Sequence, residues 1–467
     1  MPTDMTKKNK GTVLWRISKK FQYAADRIIP DSLVFCLILT FLVYVLALIL
    51  ADHNPLNLVV DWYNGLWTQN SFAFQMGIMV IVCATCAKAP QVRKVMNKLA
   101  AIPKNQVAAM IVLVIFGFIT SFINWAFCTV VGALFAMYLA KNVRGMHFPL
   151  MLAVIYTCMT FGQCLGPTAS VYSLLNTPDN FTVTGGWFSD IVSQSISVYN
   201  PHNVIIFSVF AVILVLIAIF TKPPEHEIKE FNPELLVEED TNYDVESKET
   251  PADKMNGGKL FMYIIGFAGV VVMAQQFITK GFMGALSMNL IILLFIVLNC
   301  FLYKTPRAFI EATKDNMKLA CEIIIQFPFY GGIMGIMQDS GLASIIVAGI
   351  VSIASAASLP IWSFISACIV NLFIPSQGGQ FVIQGPLLLD AAEQLGADKI
   401  DVINAFVYGD ECTNLLQPLY LIPMLAVTNS KLKEAWGMCA FVCLFWFITV
   451  VIGYAVVPGI VPWSCGL

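Results

Sequence analysis

The stretch Asn371–Pro386, NLFIPSQGGQFVIQGP, decides how the chain is read. Leu359–Val370 before it carries no charge, and Leu387–Ala392 after it is again largely apolar. Between them, Pro375, Ser376, Gln377, Gly378, Gly379 and Gln380 predict a segment outside regular helix. Proline removes a backbone donor and glycine tolerates unusual dihedrals, so helical hydrogen bonds are expected to stop here. Free N–H and C=O groups in apolar surroundings survive only when buried in protein or lining a wet cavity. Two readings follow: a plain loop between two spans, or the tip of a re-entrant hairpin that offers backbone and amide groups to a solute. The rest of the chain chooses between them.

Of 467 residues, 58% are hydrophobic and 12% charged. With a mean hydropathy of +0.75, this excludes an ordinary soluble domain, in which about 25% of residues are charged. Repeated apolar runs near 20 residues point to a polytopic α-helical membrane protein. The first such run, Asp31–Ala51, follows a basic amino end (Lys7, Lys8, Lys10, Arg16, Lys19, Lys20). It is too long for a signal-peptide core and no small-residue cleavage site follows it, so it is read as retained. Thirteen cysteines are scattered mostly through apolar segments without metal-ligand spacing, and they read as small buried hydrophobes.

Charge sets the sides. The loops Asp52–Asn70 and Thr177–Asn203 lack Lys and Arg, whereas Arg93–Lys104 and Lys304–Lys318 gather them. By the positive-inside rule the amino end is cytoplasmic and the carboxyl end external. Asn105–Ala140 is apolar throughout with basic residues on both flanks. As one helix it would run about 54 Å, against a hydrocarbon core of about 30 Å. A hairpin turning near Ser121–Trp125 fits both facts. Phe148–Leu175 contains Gly162, Gln163, Gly166, Pro167 and Thr168 and reads as a discontinuous helix. From Leu319 to Asp398 there is no Lys or Arg, so the hairpin Leu359–Ala392 is expected to enter from outside. Arms of about 14 residues, roughly 21 Å, would reach mid-membrane without crossing. A second broken helix is expected over Val402–Val427, around Gly409–Gln417 and Pro418.

This order predicts an all-α polytopic membrane protein of two inverted-topology repeats, each with a re-entrant hairpin and a discontinuous transmembrane helix. Residues 1–30 form a basic cytoplasmic amino end and 31–221 the first repeat. Residues 222–258 form an acidic cytoplasmic linker, 259–287 an extra span and connector, 288–457 the second repeat, and 458–467 an external carboxyl end. Landmarks recur at near-constant offset: Gln75 with Gln326 (251), Asn124 with Asn371 (247), Tyr156 with Tyr408 (252). The span Leu319–Gln338 has no evident counterpart in the first half. Inverted repeats with broken helices and midplane hairpins mark secondary transporters, which selects the hairpin reading of Asn371–Pro386.

Four segments resemble the short-chain fatty acid transporter family, bacterial carriers associated with acetoacetate and butyrate. They are Ile123–Ala136 (INWAFCTVVGALFA), Ile325–Ile333 (IQFPFYGGI), Phe373–Pro386 (FIPSQGGQFVIQGP) and Tyr408–Pro423 (YGDECTNLLQPLYLIP). The resemblance runs from about Arg16 to Val457. It implies a multi-pass protein of the bacterial cytoplasmic membrane, related to the dimeric inverted-repeat carriers of the ion-transporter superfamily. It therefore also implies a homodimer surrounded by lipid. Two positions depart from the family pattern. Gln377 stands where the hairpin tip has a glycine, and Ala126 stands where glycine follows Asn-Trp.

A short fatty acid offers one carboxylate and a small apolar tail, and the apolar segments hold almost no interior Lys or Arg. The anion must then be held by N–H groups, hydroxyls, amides and half-helix N-termini. Candidate substrate ligands are Ser376, Gln377, Gly378, Gly379, Gln380 and Asn371 at the second hairpin, Asn124 at the first, and Thr168 and Asn414 at the helix breaks. Asn124 has a plainer alternative as a helix cap. Asp410, Thr413 and Gln417 are the candidates for coupling, with Na⁺ at Thr413 and Asn414 as one form of it. Asp410 acts as proton carrier or cation ligand, because acids at membrane depth are costly. The family resemblance implies an acid at Asp410 and commonly an amide at Glu411. The alternative is that the helix ends early and both acids are solvated. Trp125 and Phe381 are candidates for the acyl-tail wall, and Asp390 and Glu393 for the outer mouth.

The reading is a symporter for short-chain fatty acids such as butyrate or acetoacetate, working by alternating access and driven by protons or sodium. A carrier of another small carboxylate, such as a dicarboxylate, is the alternative. No HExxH, GxSxG or paired histidine supports an enzyme. No cofactor beyond a coupling ion and no nucleic-acid partner are expected.

Overall fold

Polar caps and prolines punctuate long apolar runs, and the helices follow that punctuation. The computed structural model describes residues 11–68, 70–166, 169–176, 180, 184, 186–188, 191–236, 250–285 and 287–466. Among them there is helix and no strand. The first half runs α1 (Val13–Ile28), α2 (Ser32–Leu50), α3 (Pro55–Gly65), α4 (Asn70–Lys88) and α5 (Pro90–Ala100). The hairpin α6 (Gln106–Ile123) and α7 (Trp125–Asn142) follows, then the interrupted helix α8 (Phe148–Cys164) and α9 (Ser170–Leu175), then α10 (Pro201–Phe220). The second half runs α11 (Leu260–Ala285), α12 (Met288–Tyr303), α13 (Pro306–Lys314), α14 (Cys321–Asp339) and α15 (Leu342–Val351). It continues with the hairpin α16 (Leu359–Asn371) and α17 (Gln377–Leu395), the interrupted helix α18 (Lys399–Asn414) and α19 (Pro418–Thr428), and α20 (Leu432–Ile460).

Seven of the described helices are long and apolar enough to cross a membrane, or nine if each sharply bent pair counts as one span. Large apolar side chains stand exposed along them, Phe41, Val212, Phe267, Val271 and Ile452 among others. Outside water such a surface is at no cost, so this is the face for lipid. The chain is a multi-pass helical membrane protein.

The hairpins form where the sequence breaks, with two corrections to the expectation. Gln377–Gln380 is regular helix rather than an irregular tip: the gap is confined to Leu372–Ser376, and α17 starts at Gln377. Glycines in the first turn carry little penalty once Ser376 caps it, its Oγ accepting from Gly379 N at 3.3 Å. The arms are also unequal, 13 and 19 residues, or about 20 and 28 Å. Pro386 sits inside the longer arm without ending it. In the first hairpin each arm has 18 residues, and Gln106 Nε2 donates to Arg144 O at 3.3 Å, which holds the two basic ends together.

From α2 and from α12 onward, the halves repeat one order: helix, short helix, helix, short helix, hairpin, interrupted helix, helix. In that order α14, the span without an evident partner, falls opposite α4. Packing exchanges the halves. α2 and α3 lie on α14, and α12 and α13 lie on α4. The contact of α3 with α14 is backbone to backbone, because Gly65 faces Gly331 and Gly335. Three helices were not anticipated: α1, which packs on α20 with Phe21 against Phe441, and the short helices α3 and α15.

Candidate transport site at the crossed helix breaks

The two interrupted helices pack against one another, and each hairpin touches the second segment of the other half's interrupted helix. Small residues allow the approach. The added carbon of an alanine at Gly162 would strike Ser121, and one at Gly409 would strike Phe364 O and Ala367 Cβ. Each glycine therefore seats an interrupted helix directly on its hairpin arm. Ser121 Oγ ties the first crossing, donating to Met159 O at 2.9 Å and accepting from Gly162 N at 2.7 Å.

At the second crossing Asn371, the last residue of α16, reaches into α18. Its Nδ2 lies 2.7 Å from Asp410 O, 3.0 Å from Thr413 Oγ1 and 2.9 Å from Asn414 Oδ1. Asn414 then turns its own amide on both acids, Nδ2 donating to Asp410 Oδ2 at 2.9 Å and Glu411 Oε1 at 3.1 Å. Tyr156 Oη, from α8, donates to Asn414 O at 2.8 Å. Asp410 and Glu411 are both 0% exposed, so the early helix end that would have solvated them does not occur. Neither forms an ion pair among the described residues. Their second oxygens, Asp410 Oδ1 and Glu411 Oε2, are buried without a hydrogen-bond partner, as is Asn371 Oδ1. Three unanswered acceptors among two carboxylates and an amide form an electron-rich cluster, and buried acceptors of this kind call for a proton or a hard cation.

The second hairpin tip follows Asn371 in the chain, at the start of α17. Gln377 Oε1 accepts from Val171 N at 3.2 Å, linking the tip to α9, while its Nε2 is buried and unpartnered. Gly378 faces Ser170: an added carbon there would lie 3.3 Å from Ser170 Cβ. Helix α17 presents its first N–H groups at this point, where partial positive charge favours an anion. Gln380 staples the arms instead, Nε2 donating to Ala367 O at 3.1 Å and to Gln384 Oε1 at 2.9 Å. Gln417 is likewise occupied at both ends. It donates to Leu372 O at 2.9 Å and caps Leu419 N at 3.1 Å. Thr413 Oγ1 donates to Gly409 O at 3.3 Å and accepts from Asn371.

Asn124 takes its capping alternative, its Oδ1 accepting from Ala126 N at 2.9 Å and Phe127 N at 3.3 Å. Trp125 beside it meets Tyr420 edge-on at 5.0 Å between centroids, so the first hairpin touches the residue after the second helix break. Phe381 of α17 packs on Phe406 of α18. Thr168 lies outside the described residues. The sequence reading noted one member, Tyr156, only as a landmark. The thirteen cysteines are all free.

A profile of the short chain fatty acid transporter family matches residues 13–457. The chain belongs to that family. It is 30% identical over 443 residues to an Escherichia coli protein bearing the family's name, covering 94% of this chain and 99% of that one. A Haemophilus influenzae protein of the same name is 31% identical over 437 residues, covering 92% and 97%. Among solved structures, the YdaH transporter of Alcanivorax borkumensis is similar with a TM-score of 0.46 at 13% identity, over 94% of this chain and 100% of that one. Membership makes the chain a transporter and not an enzyme.

Proposed function

We propose that the chain is a secondary carrier for small monocarboxylates such as butyrate or acetoacetate, coupled to a cation. One observation carries this reading. Asp410, Glu411 and Asn371 keep buried oxygens without a hydrogen-bond partner where α16 meets α18, and the hairpin tip that follows Asn371 in the chain keeps a buried donor without one, Gln377 Nε2. A cation neutralises the first and a carboxylate satisfies the second, so each makes room for the other. The acceptors suit a proton shared between the two acids, or Na⁺ held by Asp410, Glu411 and Asn371 with Thr413 and Asn414 at its side. Among the described residues of the two tips, Gln377 alone keeps a buried side-chain donor without a partner, which fits one carboxylate and favours a monocarboxylate over a dicarboxylate.

The two halves form inverted repeats in this reading, with the amino end in the cytoplasm, the carboxyl end outside and the hairpins re-entrant. The protein works as a homodimer in the bacterial cytoplasmic membrane. α18 and the hairpin tip move together between the two faces, since Asn371 binds them through three contacts. The test is uptake of labelled butyrate into proteoliposomes under separately imposed H⁺ and Na⁺ gradients. Asp410→Asn keeps the shape and removes the charge, and it is expected to abolish gradient-driven accumulation while exchange persists. Glu411→Gln is expected to be mild. Full accumulation by Asp410→Asn with unchanged cation dependence would remove the acid from the mechanism.

A further inference from the structure

A cavity of about 270 Å³ opens at the face where the basic clusters gather. Its walls come from several elements. Lys88 closes α4 and Arg93 lies on α5, Lys318 precedes α14, and Leu134 belongs to the second arm of the first hairpin. The end of α19 contributes Ala426, and Leu235 of the short turn Pro233–Leu236 lies at its edge. Lys88, Arg93 and Lys318 make no ion pair and no side-chain hydrogen bond among the described residues. Three cations without an ion-pair partner among the described residues, around a partly apolar pocket, select an anion with a short apolar tail.

The position of the cavity gives it a use. Ala426 follows Tyr420 by six residues on one helix, about 9 Å along the axis. Leu134 follows Trp125 by nine in the first hairpin, about 13 Å. Tyr420 and Trp125 are the two rings that meet at the helix break. The cavity therefore lies further along both helices from the second helix break, toward the basic face. It lies between α4, on one side, and α7 and α19, which carry those two rings.

We propose that this cleft binds the carboxylate a second time, as a cation-rimmed waiting site on the basic face. Lys88, Arg93 and Lys318 hold the head group, and Leu134 and Ala426 hold the tail. The proposal rests on the carboxylate-carrier reading above. It predicts an asymmetry that the central site alone does not produce: cations on one face raise the local substrate concentration there and leave the opposite face untouched.

The test compares butyrate KM in right-side-out and inside-out vesicles for Arg93→Gln, Lys318→Gln and the double variant. Each single loss is expected to raise KM at the basic face about three- to tenfold, the size of one favourable ion pair. KM at the other face stays at the parent value, which also shows that the variants fold, and Arg93→Lys restores the parent behaviour. Unchanged KM at both faces, or an equal rise at both, overturns the proposal. A parent that carries no butyrate overturns the carrier reading instead. Vesicles with and without phosphatidylglycerol separate a lipid head group from the substrate: an effect confined to the anionic vesicles assigns the cations to lipid and overturns the waiting site.

Discussion

Gly409→Ala isolates the helix crossing on which the site is built. The added carbon would come within 2.7 Å of Ala367 Cβ and 3.1 Å of Cys368 N. Carbon pairs rest at about 3.5–4.0 Å, so α18 must move off α16 by about 1 Å. Overpacking of this kind costs about 1–3 kcal/mol, and here the obstacle includes the Phe364 carbonyl oxygen, which has no rotamer to yield. The same movement stretches the Asn371 contacts to Asp410 O and Asn414 Oδ1, now 2.7 and 2.9 Å, past hydrogen-bond range. Each contributes about 1 kcal/mol, and the total reaches about 3–5 kcal/mol. Gly162→Ala repeats the experiment in the other half, where the added carbon meets Ser121 Oγ at 2.6 Å. Gly349→Ala and Gly459→Ala, with nothing within 4 Å, are the controls. The assay is thermal melting in detergent followed by size exclusion, alongside butyrate uptake. Both crossing variants should melt well below the controls and lose uptake. A Gly409→Ala protein that melts and transports like Gly349→Ala would refute the close crossing of α16 and α18.

Gly378→Val should abolish uptake and leave the protein in the membrane, because the branched side chain grows into Ser170 from a carbon already 3.3 Å away; parent-like uptake would show the tip to be a plain turn. A pH effect is expected at the strap joining the linker to α1. There Lys229 N donates to His147 Nδ1 at 3.1 Å and Trp15 Nε1 to Glu227 Oε2 at 2.8 Å. Burial first, and then the nearby Lys229 charge, push His147 down to about 4 from 6.5. The strap's stability is therefore complete above pH 6.5 and is lost as pH falls from there toward 4. By pH 5 the loss is about 2 kcal/mol, or about thirtyfold in open fraction. Proteolysis of the linker should rise accordingly, and His147→Gln, which keeps an acceptor and cannot titrate, should flatten the response. For sidedness, a cysteine in a Cys-free background should react with an impermeant reagent from outside at Ser193 and only after permeabilisation at Asn232; the reverse pattern would overturn the topology.

What the sequence by itself determined was everything written in apolar run length, charge placement and breaks. Asp31–Ala51 had to be a span because its charge-free length allows little else. Asn105–Ala140 had to fold back because one helix of that length does not fit a membrane. Pro375 and the glycines after it located a hairpin, and motif resemblance over nearly the whole chain supplied the family. Asn371, Asp410 and Asn414 were also legible as candidates, since polar groups inside apolar runs are costly, and the fold brings the three together. Only the tertiary structure decided which polar groups are free. In sequence Gln377, Gln380 and Gln417 are three similar amides. In the fold Gln417 is tied at both ends and Gln380 clamps the hairpin arms, while Gln377 keeps an unpartnered donor. Contacts that cross the chain help make that distinction, from Gln380 to Ala367 across 13 residues to Gln417 and Leu372 across 45 and Gln377 and Val171 across 206. Local pattern shows that a donor exists, whereas its availability depends on which distant backbone group folds against it.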